Sequence, residues 1–196
     1  MNRNQLKGAY SEGEAQAIYL EVKQSGGDFA GFLRQFMHDE DYQVARNALW
    51  GTTKADDREL AVVKPMMPDL IALALSTDNA SVRRLALNLV ERLAKEAQDI
   101  PSEQFVALLD FCLEHMVRLD EYPGIQSLCM KLAYRMSRLY PELEEEMMRI
   151  VESMEISLYK PAVRSVWQKI KHGKMKNRPQ HRQTHADRKA TLLYRH

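Results

Sequence analysis

Four five-residue segments of this chain repeat one arrangement: Val44-Ala45-Arg46-Asn47-Ala48, Val82-Arg83-Arg84-Leu85-Ala86, Ile125-Gln126-Ser127-Leu128-Cys129 and Val163-Arg164-Ser165-Val166-Trp167. Each places a β-branched aliphatic residue four positions before an apolar or small one, and on an α-helix residues four apart lie over one another on a single face. The first positions, 44, 82, 125 and 163, are separated by steps of 38, 43 and 38 residues. A unit recurring at about 40 residues buries its apolar face only when copies stack, and a period of about 40–47 is that of a helical pair. The chain is therefore expected to build an all-α array.

The intervening sequence agrees. Val82, Leu85, Ala86, Leu89, Val90 and Leu93 fall on one stripe at about 100° per residue, as do Ile125, Leu128, Cys129, Leu132, Ala133 and Met136. Between these helices, Phe29, Phe32, Leu33, Phe36 and Met37 form a further stripe; Phe105, Leu108, Leu109, Cys112, Leu113 and Met116 form another; and Met147, Ile150, Val151 and Met154 a third. No stretch alternates as a strand would. Ser11 followed by Glu14 reads as a capping box, Pro101, Pro123, Pro141 and Pro161 suit first turns, and Pro65 and Pro68 should split the helix that begins near Asp56. Four helical pairs, a leading helix at about 11–24 and a tail are expected.

This pattern resembles HEAT-like repeat proteins over about residues 28–171, which implies a right-handed α-α superhelix. A repeat domain is accordingly assigned to residues 1–171 and a separate tail to 172–196. More narrowly, Phe105 to Met116, Leu139-Tyr140-Pro141-Glu142-Leu143 and Lys160 to Ile170 resemble a Bacteroidetes family of about this length, often labelled adenylosuccinate lyase. That label does not suit the residues. Lyases of that superfamily are much longer and carry a Met-Pro-x-Lys-x-Asn-Pro loop, whereas Met67-Pro68 continues here as Asp69-Leu70.

Charge is distributed unevenly. The formal total of +1 divides into +6 over residues 172–196, from seven basic residues against Asp187, and −5 over the rest. Within the body, the first helices of the pairs sum to −12 and the second helices to +8. In HEAT-like arrays the motif-bearing helix is the second of each pair and lines the concave face. Counting about 100° per residue from the motif aliphatic, Arg46 and Arg84 fall near 200°, Lys95 and Arg138 near 220°, and Lys131 and Lys169 near 240°, all opposite the apolar stripe. These six are expected to form a basic strip on the concave face, continued by Lys174, Lys176, Arg178 and Arg182 of the tail. Two readings stand open: surface charge that serves solubility, and a groove that attracts an acidic protein segment or the phosphates of nucleic acid.

Enzyme and cofactor chemistries find little footing. Gly26-Gly27 lacks the lysine and helix of a phosphate-binding loop. His38, Asp39, Glu40 and Asp41 point in different directions around a helix end and read as caps. Cys112 and Cys129 sit in apolar stripes as buried thiols. His181 and His185 are four apart but lie in a polar, basic segment with few apolar anchors. Trp167 falls on the core stripe. No cofactor, metal or small-molecule substrate is expected. The longest uninterrupted apolar run, Leu70 to Leu75, is far short of the ~18–20 residues that span a bilayer, so no membrane partner is expected and the cytoplasm is the default. The chain reads as a non-catalytic scaffold that binds a macromolecular partner, an acidic protein segment first of all. Nucleic-acid binding through strip and tail is the alternative, and an enzyme resembling DNA alkylation-repair glycosylases a distant third.

Overall fold

Helix starts are written in the chain as caps and prolines, and the computed structural model, which describes residues 1–175, follows them. Asn2 with Gln5 and Ser11 with Glu14 form reciprocal capping boxes on α1 (Arg3–Lys7) and α2 (Glu12–Gln24). Asp28 caps α3 (Phe29–Phe36), and Asp41 caps α4 (Tyr42–Thr52). The expected split occurs: Pro65 lies inside a 3-10 helix, Glu59–Met66, and Pro68 opens α5 (Met67–Ser76). Asn79 caps α6 (Ala80–Leu93), and Pro101 directly precedes α7 (Ser102–Val117). Finally α8 (Pro123–Ser137), α9 (Pro141–Ser153) and α10 (Pro161–Lys171) each begin on proline, whose missing N–H is one the first turn leaves unpaired anyway. Among the described residues there is no strand. The sequence led us to expect one leading helix, and the structure has two, α1 being the addition.

The pairs are α3 with α4, α5 with α6, α7 with α8 and α9 with α10, and the motif-bearing helices α4, α6, α8 and α10 also pack in succession against one another. The motif explains that stacking. Val44, Val82, Ile125 and Val163 are all buried, as are Ala48, Ala86 and Cys129 four places later, so α4, α6 and α8 each offer a neighbour an apolar ridge, and in α10 the second place is held by the partly buried Trp167. Fully burying one such aliphatic side chain stabilises by about 1.5–3 kcal/mol. One core runs through the array, from Leu6 in α1 to Ile170 in α10. Cys112 and Cys129 face each other in it as free thiols between α7 and α8.

A second device ties repeat to repeat. Arg92 on α6 donates from its two terminal nitrogens to the carbonyls of Thr53 (2.8 Å) and Ala55 (2.7 Å), at the end of α4. Arg135 on α8 does the same to the end of α6, donating to the carbonyls of Glu91 (2.8 Å) and Ala94 and to the Glu91 carboxylate (3.0 Å). The last carbonyls of a helix lack intrahelical partners, and a guanidinium supplies several donors and a positive charge at the negative end of the helix dipole. Both arginines stand ten residues after the motif aliphatic. Lys54 holds that position in the first repeat and pairs with Glu12 of α2. At the front of the array, Asn47 donates to the carbonyls of Leu6 (2.6 Å) and Ala9 (2.9 Å) and so docks α1 on α4.

Candidate functional site

The six basic residues singled out in the sequence divide into two groups. Arg46 and Lys95 are partly buried and committed to partners within the chain. The Arg46 guanidinium donates to Asn47 Oδ1 (2.9 and 2.7 Å) and to the Ala9 carbonyl (2.7 Å), and lies 5.6 Å from the Trp50 ring. Lys95 Nζ is 2.9 Å from Asp57 Oδ2, and the other oxygen of that carboxylate takes Arg92 at 3.1 Å. Partial burial disfavours the charged form of Asp57, but the hydrogen bonds from Lys95 and Arg92 outweigh it and hold the carboxyl below its usual range.

The other four are available. Arg84 is exposed and has no ion pair or hydrogen bond among the described residues; its stem lies across the first turn of α8, where Gly124 leaves room. A Cβ at position 124 would come within 2.8 Å of Arg84 Cδ. Lys131, half-exposed on α8, and Lys169, exposed on α10, are likewise unpaired among the described residues. Arg138, just past the end of α8, is exposed and stacks 5.9 Å from the Tyr134 ring. Of the tail residues, Lys174 is exposed, while Lys176, Arg178 and Arg182, like His181 and His185, lie outside the described residues.

Apart from α3, which carries Arg34 and no acid, what separates the two layers of helices is their carboxylates. The four motif-bearing helices contain only one acidic residue between them, Glu91, and Arg135 already holds it. By contrast α5, α7 and α9 carry nine carboxylates and one Lys or Arg, Arg149. The sequence reading registered this asymmetry but not the ladder of Arg92 and Arg135, whose acceptors are about 40 residues away. A signal was present: Lys54, Arg92 and Arg135 recur at one repeat position.

The residues weighed for other chemistry serve the fold. Asp39 binds Arg3 at 2.8 Å, and Asp41 both caps α4 and pairs with Lys7 at 2.8 Å. Gly26 and Gly27 take φ values of 107° and 73°, which suit the turn between α2 and α3. The Trp167 indole N–H donates to the Val151 carbonyl at 2.7 Å, joining α10 to α9. Not anticipated from sequence is a contact at the end of α7, where His115 Nδ1 meets Glu121 Oε2 at 2.5 Å and the imidazole stacks on Phe111. Among the described residues no group of three His, Cys, Asp or Glu side chains could hold a metal ion. Two open clefts, between α1 and α2 and between α2 and α3, are lined by none of the predicted strip residues.

Two helical layers, a repeating apolar motif and inter-repeat ties of equal spacing agree with the match of residues 2–174 to a family model described as a HEAT repeat domain. The chain belongs to the HEAT repeat family. No curated protein matches the sequence. HEAT repeats build scaffolds whose stacked pairs offer an extended surface to partners. In this HEAT repeat protein no helix among the described residues is long and apolar enough to cross a membrane.

Proposed function

We propose that this HEAT repeat protein is a non-catalytic scaffold that binds an acidic macromolecular partner, a protein segment, across the exposed side of α6, α8 and α10. Arg84, Lys131, Arg138 and Lys169 are the attracting charges, and Lys174 extends them toward the tail. The observation that carries this reading is the carboxylate census. Ordinary surface charge mixes signs so that neighbours pair, whereas these helices hold one acid, already bound by Arg135, and among the described residues Arg84, Lys131 and Lys169 on them and Arg138 just past α8 have no acidic partner. Concentrating one sign raises the local concentration of opposite charge and speeds its capture.

The test is affinity capture from the lysate of the source organism, with and without nuclease, using the wild-type protein and the triple variant Lys131→Glu, Arg138→Glu, Lys169→Glu. The helical circular dichroism of the variant should be unchanged. A stoichiometric protein that survives nuclease and is lost in the variant supports the proposal, and a partner retained by the variant refutes it. Recovery of nucleic acid, with every co-purifying protein lost to nuclease, would instead favour phosphate recognition by strip and tail, with affinity falling steeply in salt.

A further inference from the structure

The last motif helix is built differently from the other three. The side of a motif helix that meets the following repeat is marked by Arg83, one place after Val82, whose guanidinium lies 5.7 Å from the Phe111 ring of α7. The other side reaches back, as Arg92 and Arg135 do. At about 100° per residue, the places one, five and eight after the motif aliphatic share the forward side. In α4, α6 and α8 the fifth place holds Leu49, Leu87 and Met130 and the eighth holds Thr52, Val90 and Ala133, all 0% exposed. In α10 those two places hold Gln168 and Lys171, and the first holds Arg164; all three are exposed.

A second difference lies at the fourth place. Ala48, Ala86 and Cys129 are small and buried there, whereas α10 has Trp167. Its indole packs partly buried against the core, its N–H is taken by the Val151 carbonyl at 2.7 Å, and the Lys171 ammonium stands 4.9 Å from the ring centre. The wide indole supplies from within the pair the cover that the other motif helices take from the following one. Just past α10 the chain turns at Gly173, φ 61°, and Met175 packs against the core.

Independently of the binding surface proposed above, we infer that α10 is the terminal cap of the array: its outer side, Arg164, Gln168 and Lys171 around Trp167, is closed to stacking by a second copy of this chain or by any further helical pair. An end repeat needs a polar outer face to stay soluble. A helix packed here would take Arg164 and Lys171 out of water, and among the described residues neither has an acidic partner to compensate it. Two copies meeting through this side about a twofold axis would also bring like charges together.

Thiol labelling of the full chain reads the face directly, because the native Cys112 and Cys129 are buried. Gln168→Cys and Lys171→Cys should react with a maleimide within about threefold of the rate of Glu145→Cys on the exposed side of α9, at protein concentrations from about 5 to about 500 μM. Slowing of about tenfold with concentration at positions 168 and 171, but not at 145, would show a second copy seated there and overturn the cap. Slow reaction at both positions at every concentration would show the face covered from within the chain and overturn it too. The complementary variant is Arg164→Ala, Gln168→Leu, Lys171→Val, which gives α10 the residues of Ala45, Leu49 or Leu87, and Val90 at the same places. With helical circular dichroism unchanged, its mass by light scattering should rise with concentration, at a midpoint about tenfold or more below any self-association of the wild type. A folded variant whose mass stays that of the wild type throughout would show that these side chains do not close the array.

Discussion

At the scale of single residues, the strongest commitments are those of Arg135 and Asp57. Arg135 and Glu91 are 13% and 12% exposed, so their contact is close to a buried ion pair, reinforced by two carbonyls. Removing one partner of such a pair leaves the other charge buried without compensation. Arg135→Ala should therefore destabilise by about 2–4 kcal/mol, read as a lower urea midpoint. A loss under about 1 kcal/mol would mean that water replaces the guanidinium without difficulty. Asp57 gives a pH dependence. Its folded carboxyl is held below its usual value despite partial burial, so the stability it contributes is present above the unfolded value near 3.8 and is lost as pH falls through the lowered folded one. Asp57→Asn should thus be less stable than wild type at pH 7, and the two should converge at the acid end of a urea series. Curves that stay parallel down to pH 2.5 or so would refute this coupling.

At the scale of elements, helix packing turns on a glycine. A Cβ on Gly51 of α4 would stand 2.3 Å from Cγ2 and 2.9 Å from Cβ of Ile18 on α2, and a β-branched core side chain has little freedom to move aside. Gly51→Ala should force α2 from α4 and cost about 1–3 kcal/mol in spite of alanine's better helix propensity, as a thermal melt would show. An unchanged or raised melting temperature would mean the two helices separate freely. The apolar stripes of α6 and α8, and the break at Pro65 and Pro68, were legible in the sequence because they depend on local periodicity and backbone chemistry. The five-residue α1 was not, since it is shorter than any periodic window and is held by Asn47, some forty residues away. The strip shows the same limit. Arg46 and Arg84 hold one repeat position, yet Arg46 has Asn47 and the Ala9 carbonyl beside it and turns inward, while Arg84 has Gly124 beside it and stays exposed. Angle around a helix predicted a common side; what lies next to that side belongs to the neighbouring repeat.

At the scale of the whole molecule, the ladder that joins the repeats does not reach the last one. Arg92 ties the second repeat to the first and Arg135 the third to the second, but the corresponding position of the fourth is Gly173, which has no side chain to offer. The fourth pair is held by the packing of Val163, Val166 and Ile170, by the Trp167 bond to Val151 within the pair, and by Tyr159, whose hydroxyl donates to the Val117 carbonyl at 2.8 Å. In a stacked array, stability is close to a sum of repeat and interface contributions, so an end repeat with one neighbour and fewer ties opens first. Native-state hydrogen exchange should show α9 and α10 opening with a smaller free energy than α6 and α8. Arg135→Ala should lower protection at the α6–α8 interface toward that of the last pair. Tyr159→Phe, which removes one bond with little change in packing, should lower protection in α9 and α10 while leaving α4 and α6 unaltered. Uniform protection from α4 to α10 would show that apolar stacking alone sets the order of opening, with the arginine ladder contributing nothing to it. The consequence for binding is specific: Lys169 rides on a helix that the arginine ladder does not reach, while Arg84 and Lys131 ride on the two that it ties.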